Sequence, residues 1–258
     1  SSDLSCRLST KIRSYMADQK DDKGITAVVP AYNEAERIGD VLEALVAYPH
    51  FQEIIVVDDG SVDGTETVVR NFPVRYVRND KNCGKGHAMD RGVSLANGKI
   101  IFFCDADIRG LSVQVIDEIV RPVQTGEVDM FIGMRNRKWY FAHQILAFIP
   151  LLGGERAIAK ALWQKLPDHY KQYFRIEAAL NFYALYHGRG FQYKVFKGLS
   201  QVIKERKYGF WRGTKQRWGM IGDILGTQWR LHALDMPAAA KKNRRLSQFV
   251  YGFAYKAR

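Results

Sequence analysis

The chain is poor in cysteine and proline, and it has no apolar run of membrane length. Its three cysteines, Cys6, Cys83 and Cys104, are too few and too scattered for a disulfide framework, and no two of them share a metal-ligand or redox spacing. A reducing compartment is therefore expected, with no secretory signal visible in these residues. The longest apolar stretch, Trp139 to Leu152, is interrupted by His143, Gln144 and Pro150 and falls short of the ~20 residues that span a bilayer. Acidic residues are scarce at the C-terminal end. From Lys197 to Arg258 there are 14 Lys and Arg against 3 Asp and Glu, so nearly all of the formal net charge of +12 sits there. Such a tail suits an anionic partner: a membrane surface, a phosphorylated acceptor or nucleic acid. No recognition motif for nucleic acid accompanies the charge, so no nucleic-acid partner is expected.

What remains is an ordinary globular composition, 258 residues with 47% hydrophobic and 26% charged, enough to bury a sizeable core. Ile25 to Val29 reads as a β-branched strand closed by Pro30, and Glu36 to Tyr48 follows with Ile38, Val41, Leu42, Leu45 and Val46 at helical spacing. The unit repeats. Glu53 to Val57 is a second strand and Asp63 to Phe72 a helix; Val74 to Val77 is a third strand, and the loop Asn82 to Gly86 opens a helix through Ala96. A fourth strand, Ile100 to Cys104, ends abruptly in Asp105-Ala106-Asp107. Strands alternating with helices of this length predict an α/β fold, a mostly parallel, Rossmann-like sheet with helices on both faces. The expected organisation is a peripheral segment over 1–23, a sheet domain over 24–209 and a basic amphipathic helical tail over 210–258.

Ligands of such sheets bind beyond the carboxyl ends of the strands, and every polar cluster in this half lies at such an end. Pro30, Ala31, Tyr32 and Glu34 follow the first strand, where the Tyr32 ring can stack on a base and loop backbone can meet its edge. Asp58 or Asp59, after the second, can accept hydrogen bonds from a base or ribose; the alternative is a turn pair with Gly60. Gly84 permits close backbone approach, and Lys85 offers a point charge to a phosphate. Asp105 and Asp107, separated by the small Ala106, present two hard oxygen ligands for a divalent cation against a diphosphate, or else cap the next helix.

Taken with their order and spacing, Val29-Pro30-Ala31-Tyr32-Asn33-Glu34, Val56 to Thr65, Asn82-Cys83-Gly84-Lys85-Gly86 and Asp105-Ala106-Asp107 resemble the family 2 glycosyltransferases of GT-A fold. The nearest likeness is to the branch with dolichyl- and polyprenyl-phosphate sugar transferases. The resemblance covers Ile25 to Gly133 well and thins towards Gly209. It implies a nucleoside-diphosphate sugar donor, UDP or GDP linked, a Mg²⁺ or Mn²⁺ cofactor, and inversion at the anomeric carbon. It also implies that Pro30 to Glu34 and Asp58 hold the nucleoside, while Asp105 and Asp107 serve the ribose and the metal diphosphate.

Further along, Gly153-Gly154-Glu155-Arg156-Ala157 stands where family members carry a small-residue and arginine segment before a helix, which makes Arg156 a donor contact. Glu155 is expected either as a general base, as a ligand of a sugar hydroxyl, or merely as a helix N-terminal acid; Glu177 competes for the same roles. An acceptor that is already a phosphate anion needs no base. Gln201 stands where relatives place a further metal contact, with Lys204 and Arg206 near phosphate, and a solvated basic loop is the alternative. In the tail, Trp218, Ile221, Leu225, Gln228, Trp229 and His232 share one helical side, and Leu246, Phe249, Val250 and Phe253 follow a basic run. Aromatics beside Lys and Arg suit an interfacial helix, whereas packing on the sheet is the alternative. The expectation is a cytoplasmic hexosyltransferase, peripheral to the inner face of a membrane, with a lipid-linked acceptor. The alternatives are a soluble phosphorylated acceptor, with retention, or a non-catalytic nucleotide-binding membrane scaffold.

Overall fold

The computed structural model describes residues 24–135, 153–171, 175–201, 226–227 and 229–235. Seven strands form one sheet: β1 (Ile25–Ala31), β2 (Phe51–Asp58), β3 (Arg75–Arg78), β4 (Ile100–Phe103), β6 (Met130–Arg135), β7 (Glu155–Ala159) and β8 (Phe191–Phe196). Their order is β3-β2-β1-β4-β7-β6-β8, and only β7 runs antiparallel to its neighbours. Two further short strands, β5 (Ile108–Arg109) and β9 (Ser200–Gln201), pair antiparallel as a separate ribbon. The α/β architecture expected from the alternation is present, with helices on both faces.

Alternation along the strands builds two cores. Val28, Ile55, Val57, Ile101 and Phe103 point to the face covered by α3 (Lys85–Leu95), α5 (Lys160–Gln164) and α6 (Arg175–His187). Ala27, Val29, Val56, Ile100 and Phe102 point to the opposite face, under α1 (Ile38–Val46), α2 (Thr65–Val69) and α4 (Val113–Gln124). On α1 the buried set is Ile38, Val41, Leu42 and Leu45, each contributing roughly 1.5–3 kcal/mol on leaving water.

Three local readings are corrected. Pro30 does not close β1; the strand runs on through Ala31, with Pro30 opposite Val57. The Ala31 carbonyl faces β2, accepting from the Asp59 amide at 2.8 Å, so the missing Pro30 donor faces β4. β4 pairs with β1 only as far as Phe103 opposite Val28, which leaves no ladder bond at Pro30 to lose. The helix expected over Asp63 to Phe72 shrinks to α2, because Pro73 disfavours a helical Phe72 and the chain closes in turns from Asn71 to Val68 and Phe72 to Val69. Glu155 is not at a helix N-terminus: it opens β7, where ladders to β4 and β6 on both sides override a weak local preference.

Within the described part of the tail, a π-turn at Leu231–Asp235 packs on α6: Leu231 is fully buried, and His232 meets the Phe182 ring edge-on with centroids 5.3 Å apart. Trp229, expected on the same helical side as His232, is instead 71% exposed. The 1–23 segment, the whole of Trp139 to Leu152, and the rest of the 210–258 tail lie outside the described residues. Among the described residues no helix is long and apolar enough to cross a membrane.

Candidate active site

The loops leaving the carboxyl ends of β1 and β2 are stitched together. Asn33 takes a left-handed φ of 55°; its amide donates to Ser61 Oγ at 2.9 Å, and its Oδ1 accepts from the Val62 amide at 2.9 Å. Glu34 donates its amide to Thr65 Oγ1 (2.9 Å), and its carboxylate pairs with Arg37 at 2.7 Å. Pro30 and Ala31 end β1 paired with Val57 and Asp58 of β2, and Tyr32 follows them, 39% exposed.

Asp58 and Asp59 are both buried, and both are engaged by the protein. Asp58 accepts from the Ser61 amide (2.7 Å), the Tyr76 hydroxyl (2.5 Å) and Arg78 Nη1 (2.9 Å). Asp59 accepts from the Gly84 amide (2.7 Å), the Cys83 amide (3.0 Å) and Asn79 Nδ2 (2.7 Å). They shape the loops after β2 and β3 instead of presenting open carboxylates. Gly84 enters α3 at a φ of 94° with open space where a side chain would project, a conformation that L residues rarely adopt.

The charged centre lies past β4. Lys85, the first residue of α3, donates Nζ to Asp105 Oδ1 at 2.6 Å and lies 4.0 Å from Glu177 in the first turn of α6. On the other side of Asp105, Arg135 Nη2 donates to Oδ2 at 2.7 Å and to Glu155 Oε1 at 2.8 Å, while its Nε reaches Glu155 Oε2 at 3.1 Å. Topology explains the meeting. Because β7 runs antiparallel, its first residues stand at the rim where β4 and β6 end, with Arg156 opposite Phe103 and Ile132 and Glu155 opposite Gly133. Gly154 leaves room for the pair, since a methyl group there would sit 2.1 Å from Asp105 Oδ2.

Arg156 is 1% exposed; its Nε and Nη2 donate to the Gly153 carbonyl at 3.1 and 2.5 Å, Nη2 lies 3.8 Å from Glu177, and Nη1 has no hydrogen-bond partner. A buried guanidinium nitrogen without an acceptor is costly unless an anion completes it. Burial pulls the Arg156 pKa down, against the pull of Glu177 and Asp105. Burial alone would raise Asp105, but Lys85 and Arg135 outweigh it and hold the carboxyl far below the usual range. Glu155 is the reverse case: burial, aided by Asp105, raises it despite Arg135. Asp105 therefore stays ionised at neutral pH, whereas Glu155 is a sealed structural partner of Arg135.

Of the remaining expected site residues, Ala106 is buried and Asp107 half-buried on the turn between β4 and β5. Backbone pairing sets Gln201 of β9 opposite Ile108, one residue beyond Asp107. Lys204 and Arg206 lie outside the described residues. Arg135 was missed. Its signal was the apolar run Met130 to Met134 ending in a cation, the mirror of Ile100 to Cys104 ending in Asp105.

A family model described as glycosyl transferase family 2 matches residues 26–197. The dodecaprenyl-phosphate galacturonate synthase of Rhizobium johnstonii is 34% identical over 125 residues, covering 44% of this chain and 37% of that protein. The dolichyl-phosphate beta-glucosyltransferase of Trichomonas vaginalis is 43% identical over 96 residues, 32% of this chain and 28% of that protein. The match thus spans well under half the length of either relative. Glucosyl-3-phosphoglycerate synthase from Mycobacterium tuberculosis, solved with Mn²⁺, UDP-glucose and phosphoglyceric acid, superimposes with a TM-score of 0.69 at 21% identity. That superposition covers 86% of this chain and 84% of the other, and it shows a shared fold.

Proposed function

The chain belongs to glycosyl transferase family 2, and from that premise we propose that it passes a hexose from a UDP- or GDP-linked sugar to a lipid-linked phosphate acceptor, with inversion. One observation carries the reading: Lys85, Arg135 and Arg156 converge from three elements on the strand-end rim, and the most buried of them keeps an unpartnered nitrogen. Three cations with nothing to do but satisfy Asp105, Glu155 and Glu177 would be an expensive way to hold a loop. A diphosphate beside them gives the arrangement its use.

The same count argues for a divalent ion. Three cationic and three anionic side chains balance, so a diphosphate brings uncompensated negative charge. Asp107, two residues past the ionised Asp105 and next to Ile108, which pairs with Gln201 of β9, is the hard-oxygen site that fits Mg²⁺ or Mn²⁺. When bound, that ion offsets charge on the departing nucleoside diphosphate. Lys85 and Arg156 hold the diphosphate, and the Pro30 to Glu34 loop with the Asp58 and Asp59 turns frames the nucleoside. Glu177, with a 14% exposed carboxylate beside Lys85 and Arg156, is better placed than Glu155 to meet a sugar hydroxyl. A phosphate acceptor is its own nucleophile and takes no base.

The two relatives described above carry names of polyprenyl- or dolichyl-phosphate sugar enzymes, which favours a lipid phosphate over a soluble one. Trp229 and Leu234, 71% and 61% exposed beside the basic tail, suit contact with an anionic membrane on its cytoplasmic side. The test supplies labelled UDP- and GDP-hexoses with polyprenyl phosphate in anionic vesicles. Label moving into the organic phase, and lost in Asp107→Ala, supports the reading. Label captured only by a soluble phosphorylated acceptor, or by none, overturns it.

A further inference from the structure

Among the described residues, one group of metal-ligating side chains shares no member with the cluster around Asp105. Asp59, Cys83 and His87 offer ligand atoms that all lie within 4.8 Å of one another. Cys83 stands just before Gly84, and His87 is the third residue of α3, a Cys-x3-His spacing. Sequence reading compared the cysteines only with each other and so passed over it. The site draws on two stretches of chain, the end of β2 and the start of α3.

The donor set decides the metal. A carboxylate, a thiolate and an imidazole form a mixed, borderline-soft set, which suits Zn²⁺; Mg²⁺ and Mn²⁺ prefer oxygen throughout. Outer hydrogen bonds already aim the ligands. Arg91 Nη1 donates to Asn79 Oδ1, which turns Asn79 Nδ2 towards Asp59 Oδ1 (2.7 Å) and His87 Nδ1 (3.5 Å). An amide nitrogen only donates, so His87 Nδ1 is the unprotonated ring nitrogen; its lone pair meets Asn79 over a long 3.5 Å contact that an ion would displace. Asp59 accepts from Asn79 Nδ2 and the Cys83 amide on Oδ1 and from the Cys83 and Gly84 amides on Oδ2; the Cys83 amide, shared between both oxygens, is the contact that an ion would displace. Asp59 is buried while Cys83 and His87 are exposed, so an ion can arrive from solvent.

We propose that Asp59, Cys83 and His87 form a zinc site, separate from the Mg²⁺ or Mn²⁺ position, that fastens the Cys83–Gly84 loop to the end of β2. On binding, the Cys83 thiol gives its proton to solvent and water fills the remaining coordination position. The full chain, stripped of metal, is titrated with Co²⁺ as an optical stand-in for Zn²⁺. Expected are a thiolate-to-cobalt charge-transfer band and tetrahedral visible bands, saturating at one ion per chain, bleached by Zn²⁺ and untouched by excess Mg²⁺. Cys83→Ser loses the charge-transfer band, and His87→Ala weakens Zn²⁺ binding by at least about tenfold. Zn²⁺ raises the melting temperature of the wild-type chain and leaves that of Cys83→Ser unmoved. Asp107→Ala keeps the full cobalt spectrum, so failure of the donor reading and failure of this one are told apart. A wild-type chain without the charge-transfer band, or a band that persists in Cys83→Ser, overturns the proposal.

Discussion

Replacing Arg135 by leucine tests the charged centre hardest, because it removes a cation that two carboxylates share. Arg135 supplies both hydrogen bonds that the structure shows to Glu155, at 2.8 and 3.1 Å, and Glu155 is fully buried. Asp105 keeps Lys85 at 2.6 Å and some solvent, so the loss falls on Glu155. Stranding one member of a buried ion pair costs about 3–5 kcal/mol. At about 2–4 °C per kcal/mol for a domain of this size, Arg135→Leu should melt roughly 6–20 °C early. The cost carries a pH signature. Burial already raises the Glu155 pKa, and losing Arg135 raises it more, so the folded variant is favoured when Glu155 is protonated and loses stability as pH rises through the raised value. Urea titrations at pH 5 and pH 8 should therefore show the larger deficit at pH 8. The double variant Arg135→Leu/Glu155→Leu should recover to within about 1 kcal/mol of wild type or exceed it, since a packed apolar pair matches or betters a buried ionic one. A single variant within about 1 kcal/mol of wild type at pH 8, or a double variant no better than the single, refutes the reasoning.

Gly154→Ala should push a methyl group into the Asp105 and Arg135 pair, 2.1 Å from one and 2.5 Å from the other; expected are about 1–3 kcal/mol of lost stability and a loss of transfer of about a hundredfold, read by urea melts and initial rates. Lys85→Met should raise the donor KM by at least about tenfold while moving stability by less than about 1 kcal/mol, because the Lys85 side chain is 41% exposed; a lowered melting temperature with unchanged KM would make Lys85 a structural residue. The Tyr48 hydroxyl is pushed up to about 12 by burial and by Asp117, to which it donates at 3.3 Å. Its stabilising effect is complete below the ordinary tyrosine value and disappears as pH climbs from there to the raised one, so Tyr48→Phe should flatten the alkaline fall in stability over that window.

Local pattern went far in the first half of the chain. Strands such as Ile54 to Val57 and Ile100 to Phe103 are apolar on both faces, and a helix such as Ile38–Val46 carries a clean 3.6-residue stripe, so order and direction follow from short connections. The rim position of Lys85 and Asp105 was readable for the same reason. The second half resisted because its elements are defined by partners. Glu155 to Ala159 looks like nothing in particular alone, and it becomes a strand only because β4 and β6 leave a slot between them. Arg135 and Arg156 gain their meaning from that insertion, which brings Arg135 within 2.8 Å of Glu155, 20 residues further along the chain. Pro30 misled in the other direction. A residue that ends most strands is harmless where the neighbouring strand has already stopped.

The central claim is that Asp107, backed by Asp105, holds a divalent ion against a nucleoside diphosphate at the carboxyl rim of the sheet. Calorimetric titration of UDP and GDP into the wild-type chain and into Asp107→Ala, each with chelator and then with Mn²⁺, tests it most directly. The account predicts that one of the two nucleotides binds the wild type only when Mn²⁺ is supplied, and that neither binds Asp107→Ala under either condition. Equal binding with chelator present, or an undiminished signal in Asp107→Ala, would contradict it.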